Sequence, residues 1–176
     1  MAGQKETSQK LNNTLLFIAR LLNENNFIWF ISYGTLLGIV RNNSCIENDD
    51  DIDIMILKSP NTYDKLSSIL KTNNFVMDYG YNIKTSKNII KTKTNERFTS
   101  VDFYFCDKND KNDFKDLWNG VTWTNCYDKN QKLIQKEWYD TTLYLPNDYV
   151  KKLEKRYGKQ WKVPMKSKGN WGAKLL

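Results

Sequence analysis

Apolar residues recur along the chain in blocks that predict alternating helices and strands. From Leu11 to Asn23 they follow helical spacing, which predicts a well-packed helix. Phe27–Ile31 is an unbroken aromatic and β-branched run, typical of a buried strand. The same criteria predict a short helix at 36–40, strands at 52–57 and 101–105, a helix at 61–71, and a helix from Pro146 to Tyr157 that Gly158 caps.

The remaining segments carry weaker patterns. Residues 1–8 are polar and are predicted to be loosely held, residues 79–94 predict either a weak hairpin or a loop, and residues 118–139 give irregular strand or loop signals. The order of elements favours an α+β fold, with a small mixed β-sheet flanked by helices and a C-terminal helical segment. The length of 176 residues predicts one domain over 1–176, with a core at about 9–145 and a C-terminal helix and basic tail at 146–176.

Composition excludes several functions. The chain has no histidine, which excludes Ser-His-Asp and Cys-His catalysis and any His-ligated zinc. Its cysteines (Cys45, Cys106 and Cys126) are far apart and form no CxxC pair, which argues against a tetrahedral cysteine site or a disulfide framework. This pattern predicts a cytoplasmic, soluble protein. The first apolar run contains Arg20 and is too short for a signal peptide or a membrane span, so none is expected.

The net charge of +7 is unevenly distributed. Residues 149–176 contain nine basic residues and one acidic residue, so the preceding part of the chain is close to neutral. Trp161 and Trp171 lie among lysines there and could stack on bases, which leaves open a degenerate nucleotide- or nucleic-acid-binding module. A solvated helix face, or a lid whose aromatic residues pack on the core, is the other interpretation. Nucleic acid is therefore not the favoured partner.

An acidic run precedes and enters the strand predicted at 52–57. Asp51 and Asp53 alternate with apolar residues, so their side chains should lie on one face of the strand while Ile52, Ile54 and Ile56 face the core. Two carboxylates this close repel each other unless a cation neutralises them. Oxygen-only ligation suits Mg²⁺ or Mn²⁺. The alternative is a solvated acidic turn, although Asp53 lies within the apolar run rather than before it.

A further carboxylate, Asp102, is embedded among large apolar residues of the strand at 101–105. A buried carboxylate needs a cation or hydrogen bonds. Placed beside the strand of Asp51 and Asp53, it would complete a three-carboxylate cluster that ligates metal or accepts a proton from an attacking hydroxyl. The alternative is a structural aspartate that binds backbone amides or a lysine.

Gly34 and Thr35 lie between the first strand and a helix, where backbone amides can bind a phosphate. A simple turn with Thr35 as the helix N-cap is the alternative. Arg41, at the end of that short helix, could contact the acidic cluster or a substrate phosphate. A surface position without a role at the site is the alternative for Arg41.

Together these motifs resemble the nucleotidyltransferase superfamily, and more closely the LicD family of phosphocholine and fukutin-like phospho-alcohol transferases. The residues that carry the resemblance are GTLLGIVRNNSCIENDDDIDI at 34–54, the strand with Asp102, and a closing pattern of Pro146, Leu153, Tyr157-Gly158, Trp161 and Pro164. The resemblance implies a nucleotidyltransferase-like fold.

The resemblance also implies a function: metal-dependent transfer of a phospho-alcohol, such as phosphocholine or ribitol phosphate, from a nucleoside-diphosphate donor to a glycan or sugar hydroxyl. Among the possible donors, the resemblance favours a CDP-linked one. By the resemblance, Asp51, Asp53 and Asp102 are the catalytic and metal-binding residues, and Gly34 and Thr35 contact donor phosphate. A nucleotidyltransferase that places a nucleotide on a small molecule, sugar phosphate or protein is the enzymatic alternative, since it would use the same carboxylates.

Overall fold

A computed structural model of the chain describes residues 4–80, 86–164 and 175–176. The helices in these ranges are α1 (Ser8–Glu24), α2 (Tyr33–Asn42), α3 (Thr62–Thr72) and α4 (Tyr149–Tyr157). The strands are β1 (Trp29–Ile31), β2 (Asp51–Leu57), β3 (Val76–Asp78), β4 (Ile89–Lys93), β5 (Ser100–Lys108), β6 (Phe114–Asp116), β7 (Thr122–Trp123), β8 (Ile134–Trp138) and β9 (Thr141–Leu145).

Most of the strands form one mixed sheet in the order β1–β2–β5–β4–β3. β2 and β5 are parallel, while the other neighbours on this path are antiparallel. β6 pairs with the far end of β5 and β7 pairs with β6, and β8 and β9 form a separate hairpin. The register places Asp53 directly beside Asp102 and Asp102 directly beside Lys91. Because directly paired residues share a face of the sheet, these three side chains form a row across three strands.

The hydrophobic core confirms the predicted orientation of β2. Ile52, Ile54 and Ile56 are fully buried, and α1 contacts both β2 and β9. Burying side chains of this size stabilises the fold by about 1.5–3 kcal/mol each. The strand that carries Asp51 and Asp53 is therefore fixed by its apolar neighbours, and its acidic side chains are held at a defined edge of the sheet.

Several predicted boundaries are wrong. α2 begins at Tyr33 rather than at residue 36, so Gly34 and Thr35 lie in its first turn and Thr35 is not its N-cap. α4 begins at Tyr149 rather than at Pro146, although Gly158 caps it as predicted and its N–H donates to the carbonyl of Glu154.

The weakly patterned segments are also better ordered than the sequence indicated. The hairpin alternative at 79–94 is confirmed in part: β4 lies in that range and pairs with β3, but β3 ends at Asp78, before the predicted range begins. Residues 81–85 lie outside the described ranges. Residues 118–139 contain β7 and β8. Glu6, expected to be loose, is buried: its N–H donates to the carbonyl of Asp49 (2.9 Å), and its own carbonyl accepts from the N–H of Asn48 (3.0 Å).

Candidate active site

Asp53 is clamped to the first turn of α2 by two reciprocal hydrogen bonds. The N–H of Gly34 donates to Asp53 Oδ2 at 3.0 Å, and the N–H of Asp53 donates to Thr35 Oγ1 at 2.8 Å. A Cβ atom at Gly34 would lie 3.1 Å from Asp49 Oδ2 and 3.4 Å from Asp53 Oδ2. Glycine at this position therefore lets two carboxylates approach the backbone, and the Gly-Thr pair fixes one of them.

The acidic run gathers its carboxylates at the start of β2. Asp49, Asp50 and Asp51 each offer an oxygen within 4.8 Å of the other two, and all three are partly exposed. Asp51 and Asp53 line the same cavity, which confirms that they share a face of the strand. The solvated-turn alternative does not describe this arrangement, because Asp53 is only 8% exposed.

Asp102 lies deeper than its neighbours and has a basic partner. Lys91 Nζ is 2.6 Å from Asp102 Oδ2, and the Tyr104 hydroxyl lies 3.1 Å from the same oxygen and 3.3 Å from Asp53 Oδ1. The other oxygen, Asp102 Oδ1, is buried and has no hydrogen-bond partner among the residues that the structure describes. Protein groups therefore contact one carboxylate oxygen of Asp102, and the other oxygen remains without a hydrogen-bond donor among the described residues.

Burial and mutual repulsion make these carboxylates hard to ionise. Burial, with the charges of Asp102 and Asp50, raises the pKa of Asp51 to about 7. Burial and the charge of Asp51 raise the pKa of Asp53 well above its usual value. Burial also raises the pKa of Asp102, although the positive charge of Lys91 offsets part of this increase. For Lys91, burial alone would lower the pKa, but the charge of Asp102 outweighs it, so the pKa of Lys91 is raised. One lysine therefore does not balance the negative charge of the clustered carboxylates.

A cavity of about 450 Å³ opens beside the cluster. Its lining includes side chains from β5, the β6–β7 turn and α4 as well as the acidic run. These residues are Tyr33, Gly34, Leu37, Ile46, Asp49, Asp50, Asp51, Asp53, Tyr104, Asn119, Val121, Arg156 and Tyr157. The cavity thus combines a concentrated negative charge with one arginine and several aromatic rings.

The predicted site residues are not all brought together. Thr35 is 2% exposed and does not line the cavity, and Arg41 and Asp102 are also outside the lining. Sequence reasoning did not assign Lys91, which pairs with Asp102, or Arg156, which lines the cavity. The only sequence signal for Arg156 was its position next to the Tyr-Gly pair at the end of a predicted helix.

The donor set fits a hard divalent cation. Asp49, Asp50, Asp51 and Asp53 line the cavity, and carboxylate oxygens are the ligands that Mg²⁺ and Mn²⁺ prefer. Asp102 also has a buried oxygen with no hydrogen-bond partner among the described residues, and a cation would satisfy it. No nitrogen or sulfur donor of histidine or cysteine lies in the lining, so softer metals are not favoured.

The basic C-terminal segment lies only partly within the described ranges. Trp161 is 4% exposed, so its ring is buried and is not presented for stacking on a base, whereas Trp171 lies outside the described residues. Within residues 4–80, 86–164 and 175–176, no helix has the length and apolar character that a membrane crossing requires.

Comparison with known proteins finds relatives among the ribitol-5-phosphate transferases. Ribitol-5-phosphate transferase FKTN of Homo sapiens is 26% identical over 165 residues, which cover 87% of this chain and 33% of that protein. FKTN of Macaca fascicularis is 26% identical over 179 residues, covering 95% of this chain and 35% of that protein. This chain thus spans about a third of the length of the curated relatives it matches.

The fold has a counterpart among solved structures. The lincosamide antibiotic adenylyltransferase LnuA, in its lincomycin-bound crystal structure, superposes with a TM-score of 0.56 at 14% identity, covering 85% of each chain. This likeness confirms the α+β, nucleotidyltransferase-like fold. The family described as LicD/FKTN/FKRP, nucleotidyltransferase domain, matches residues 26–165. Because this match covers most of the chain, including the whole acidic cluster, the protein belongs to the LicD family.

Proposed function

We propose that this domain transfers a phospho-alcohol, phosphocholine- or ribitol-phosphate-like, from a nucleoside-diphosphate donor to a hydroxyl of a glycan or sugar. The observation that carries the proposal is the carboxylate cluster of β2 at a cavity that also holds Arg156. Membership of the LicD family supports a phospho-alcohol as the transferred group, as does similarity to relatives named ribitol-5-phosphate transferases. A CDP-linked donor is the first to test.

Mg²⁺ or Mn²⁺ is the cofactor that we propose. Asp51 and Asp53 would hold it, together with Asp102 through its remaining oxygen. Asp49 and Asp50 each offer an oxygen within 4.8 Å of one of Asp51 and could add ligands on that side. When bound, the cation would neutralise the charge of the donor diphosphate and of the leaving group. Gly34 keeps Asp53 oriented through its N–H, and Tyr104 and Lys91 hold Asp102 beside it.

The proposed transfer needs one bond to form and one to break. The acceptor hydroxyl oxygen bonds to the phosphorus that carries the alcohol, and the bond from that phosphorus to the bridging oxygen breaks. The nucleoside monophosphate leaves with the electron pair, and the hydroxyl proton passes to a carboxylate. Asp102 does not line the cavity, so we assign the proton to one of the cavity-facing carboxylates of residues 49–53 rather than to Asp102.

Product analysis tests this proposal. The protein is incubated with CDP-ribitol or CDP-choline, sugar acceptors and MgCl₂ or MnCl₂, and released nucleotides are separated by chromatography. Nucleoside monophosphate is expected from the wild type. Asp51→Asn and Asp53→Asn should each reduce its release at least about 100-fold, because each removes charge from the group that positions the cation. Asp107→Asn, at an exposed carboxylate farther along β5, is the matched control.

Two results would contradict the proposal. Release of pyrophosphate from a nucleoside triphosphate, with the nucleotide joined to the acceptor, would instead support the nucleotidyltransferase alternative. Full metal-dependent turnover by the Asp51→Asn/Asp53→Asn double variant would show that the carboxylates of β2 are not the reaction centre.

A further inference from the structure

Arg156 is the basic side chain of α4 that reaches the cavity. It lies in the last turn of the helix and lines the cavity together with Asp49 and Asp53. Lys151 and Lys155 of the same helix are exposed and lie outside that lining. The remaining lysine of α4, Lys152, is buried, and its Nζ donates to the carbonyl of Asn147 at 2.8 Å. Arg156 is therefore the basic side chain that the helix presents to the candidate active site.

Aromatic rings fix the guanidinium of Arg156 in place. Its central carbon lies 4.4 Å from the centroid of the Tyr33 ring and 5.8 Å from that of Tyr157. Tyr33 is in turn anchored, because its hydroxyl donates to Asp116 Oδ2 at 2.6 Å. Asp116 is fully buried and also accepts from the backbone N–H groups of Trp118 and Asn119. The Tyr33 ring that stacks on Arg156 is thus held by a hydrogen bond to Asp116, a buried carboxylate that is itself fixed by several donors.

Tyr33 also has a backbone conformation that residues with large side chains rarely adopt. Its φ angle is 42°, in the left-handed region. This residue directly precedes Gly34, whose N–H holds Asp53. Strain of this kind persists where the surrounding structure requires it, often at functional sites. One short segment therefore sets the positions of both the arginine and a carboxylate of the cluster.

We infer that Arg156 binds the diphosphate of the donor, with Tyr33 as the residue that positions it. This assignment rests on the function proposed above, and it makes Arg156 the residue that recognises the anionic part of the donor. Stacking on an aromatic ring holds a guanidinium in a defined plane, and the planar arrangement of its N–H donors matches the parallel hydrogen bonds that a phosphate accepts. The carboxylates repel phosphate oxygens, so an anionic ligand needs this fixed positive charge in addition to a cation.

Calorimetric titration with sodium pyrophosphate in the presence of MgCl₂ tests the inference. Arg156→Met is expected to weaken binding by about 10- to 100-fold, the range for charge-assisted hydrogen bonds to phosphate. Lys155→Met removes the same charge from the neighbouring exposed position and should change binding less than about 2-fold. Arg156→Lys should give an intermediate loss, because the charge remains but the planar pair of donors is lost. Circular dichroism and the melting midpoint confirm that each variant is folded.

The steady-state kinetics of transfer test the positioning role. Tyr33→Phe keeps the ring but removes the bond to Asp116, and should raise the donor KM about 3- to 10-fold while leaving the acceptor KM unchanged. A purely structural role would lower the active fraction and change neither KM. Equal KM values for donor and acceptor in Tyr33→Phe and wild type would overturn the positioning role.

The outcomes separate this inference from the proposed function. Equal pyrophosphate affinity in Arg156→Met and wild type would overturn the inference even if nucleoside monophosphate is released. Wild-type protein that releases the monophosphate but binds no pyrophosphate would do the same. A selective loss of binding in Arg156→Met, with no monophosphate released from any donor, would uphold the anion site and overturn the proposed transferase activity.

Discussion

Replacing Asp51 with asparagine is expected to stabilise the cation-free protein. Asp51 lies partly buried among Asp49, Asp50 and Asp102, and burial together with these charges raises its pKa from 3.8 to about 7. Holding such a carboxylate ionised above pH 7 costs the folded state on the order of 4 kcal/mol. Asparagine has nearly the same shape and no charge, so Asp51→Asn removes this cost.

The sign of the pH dependence follows from the direction of the shift. The folded state keeps its proton on Asp51 to higher pH than the unfolded chain, so folding loses stability as the pH rises from about 4 to about 7. Asp51→Asn lacks this loss. Because the remaining carboxylates share the repulsion and relax, the net gain in unfolding free energy should be about 1–3 kcal/mol at pH 8 and close to zero at pH 4.

Urea denaturation with EDTA at pH 4, 6 and 8 measures this difference, and Asp107→Asn is the control for removing an exposed carboxylate. A second series with MgCl₂ should stabilise the wild type, by about 2.7 kcal/mol at a hundred times the dissociation constant, and leave Asp51→Asn nearly unchanged. The reasoning is refuted if Asp51→Asn is less stable than wild type at pH 8 in EDTA, or if its advantage does not grow between pH 4 and pH 8.

Three further substitutions test the scaffold of the site by urea denaturation. Gly38→Ala should lower the unfolding free energy by about 1–3 kcal/mol, because its Cβ would lie 2.7 Å from the carbonyl oxygen of Ser44; an unchanged midpoint would contradict this. Lys91→Met should cost about 2–4 kcal/mol at pH 8 and less at pH 5, since it leaves Asp102 buried without its counter-charge, and adding Asp102→Asn should recover most of the loss. Tyr104→Phe should cost about 1–2 kcal/mol and reduce turnover, because the hydroxyl beside Asp102 is lost; full activity would contradict the second part.

The parts of the site that could be predicted depend on short-range order. The alternation of Asp51 and Asp53 with isoleucines is a property of one strand, so a shared face followed from the period of the strand alone. The closeness of Asp102 requires β5 to pair with β2, which no local pattern determines, so the sequence offered it only as a condition that the resemblance supports. The register then places Asp102 beside Asp53.

The parts that escaped prediction depend on long-range contacts. Lys91 comes from the segment with the weakest pattern, and its importance arises only because β4 pairs with β5 on the side away from β2. The sequence predicts that Thr35 contacts phosphate, but its hydroxyl accepts from the N–H of Asp53, eighteen residues later. Arg156 was one of many basic residues near the C-terminus, and nothing local distinguishes it from its neighbours before α4 packs against Tyr33.

The positions of individual charges at the cavity matter more for ligand binding than the net charge of +7. Among the C-terminal basic residues that the structure describes, Arg156 alone lines the cavity, so it is the residue through which this described part of the segment contacts the site. The carboxylates of β2 are costly to ionise together, and a cation that relieves this cost leaves less negative charge facing an incoming phosphate. Cation and arginine would therefore act on the same ligand from different parts of the lining. Neither alone would make an acidic cavity suitable for a diphosphate.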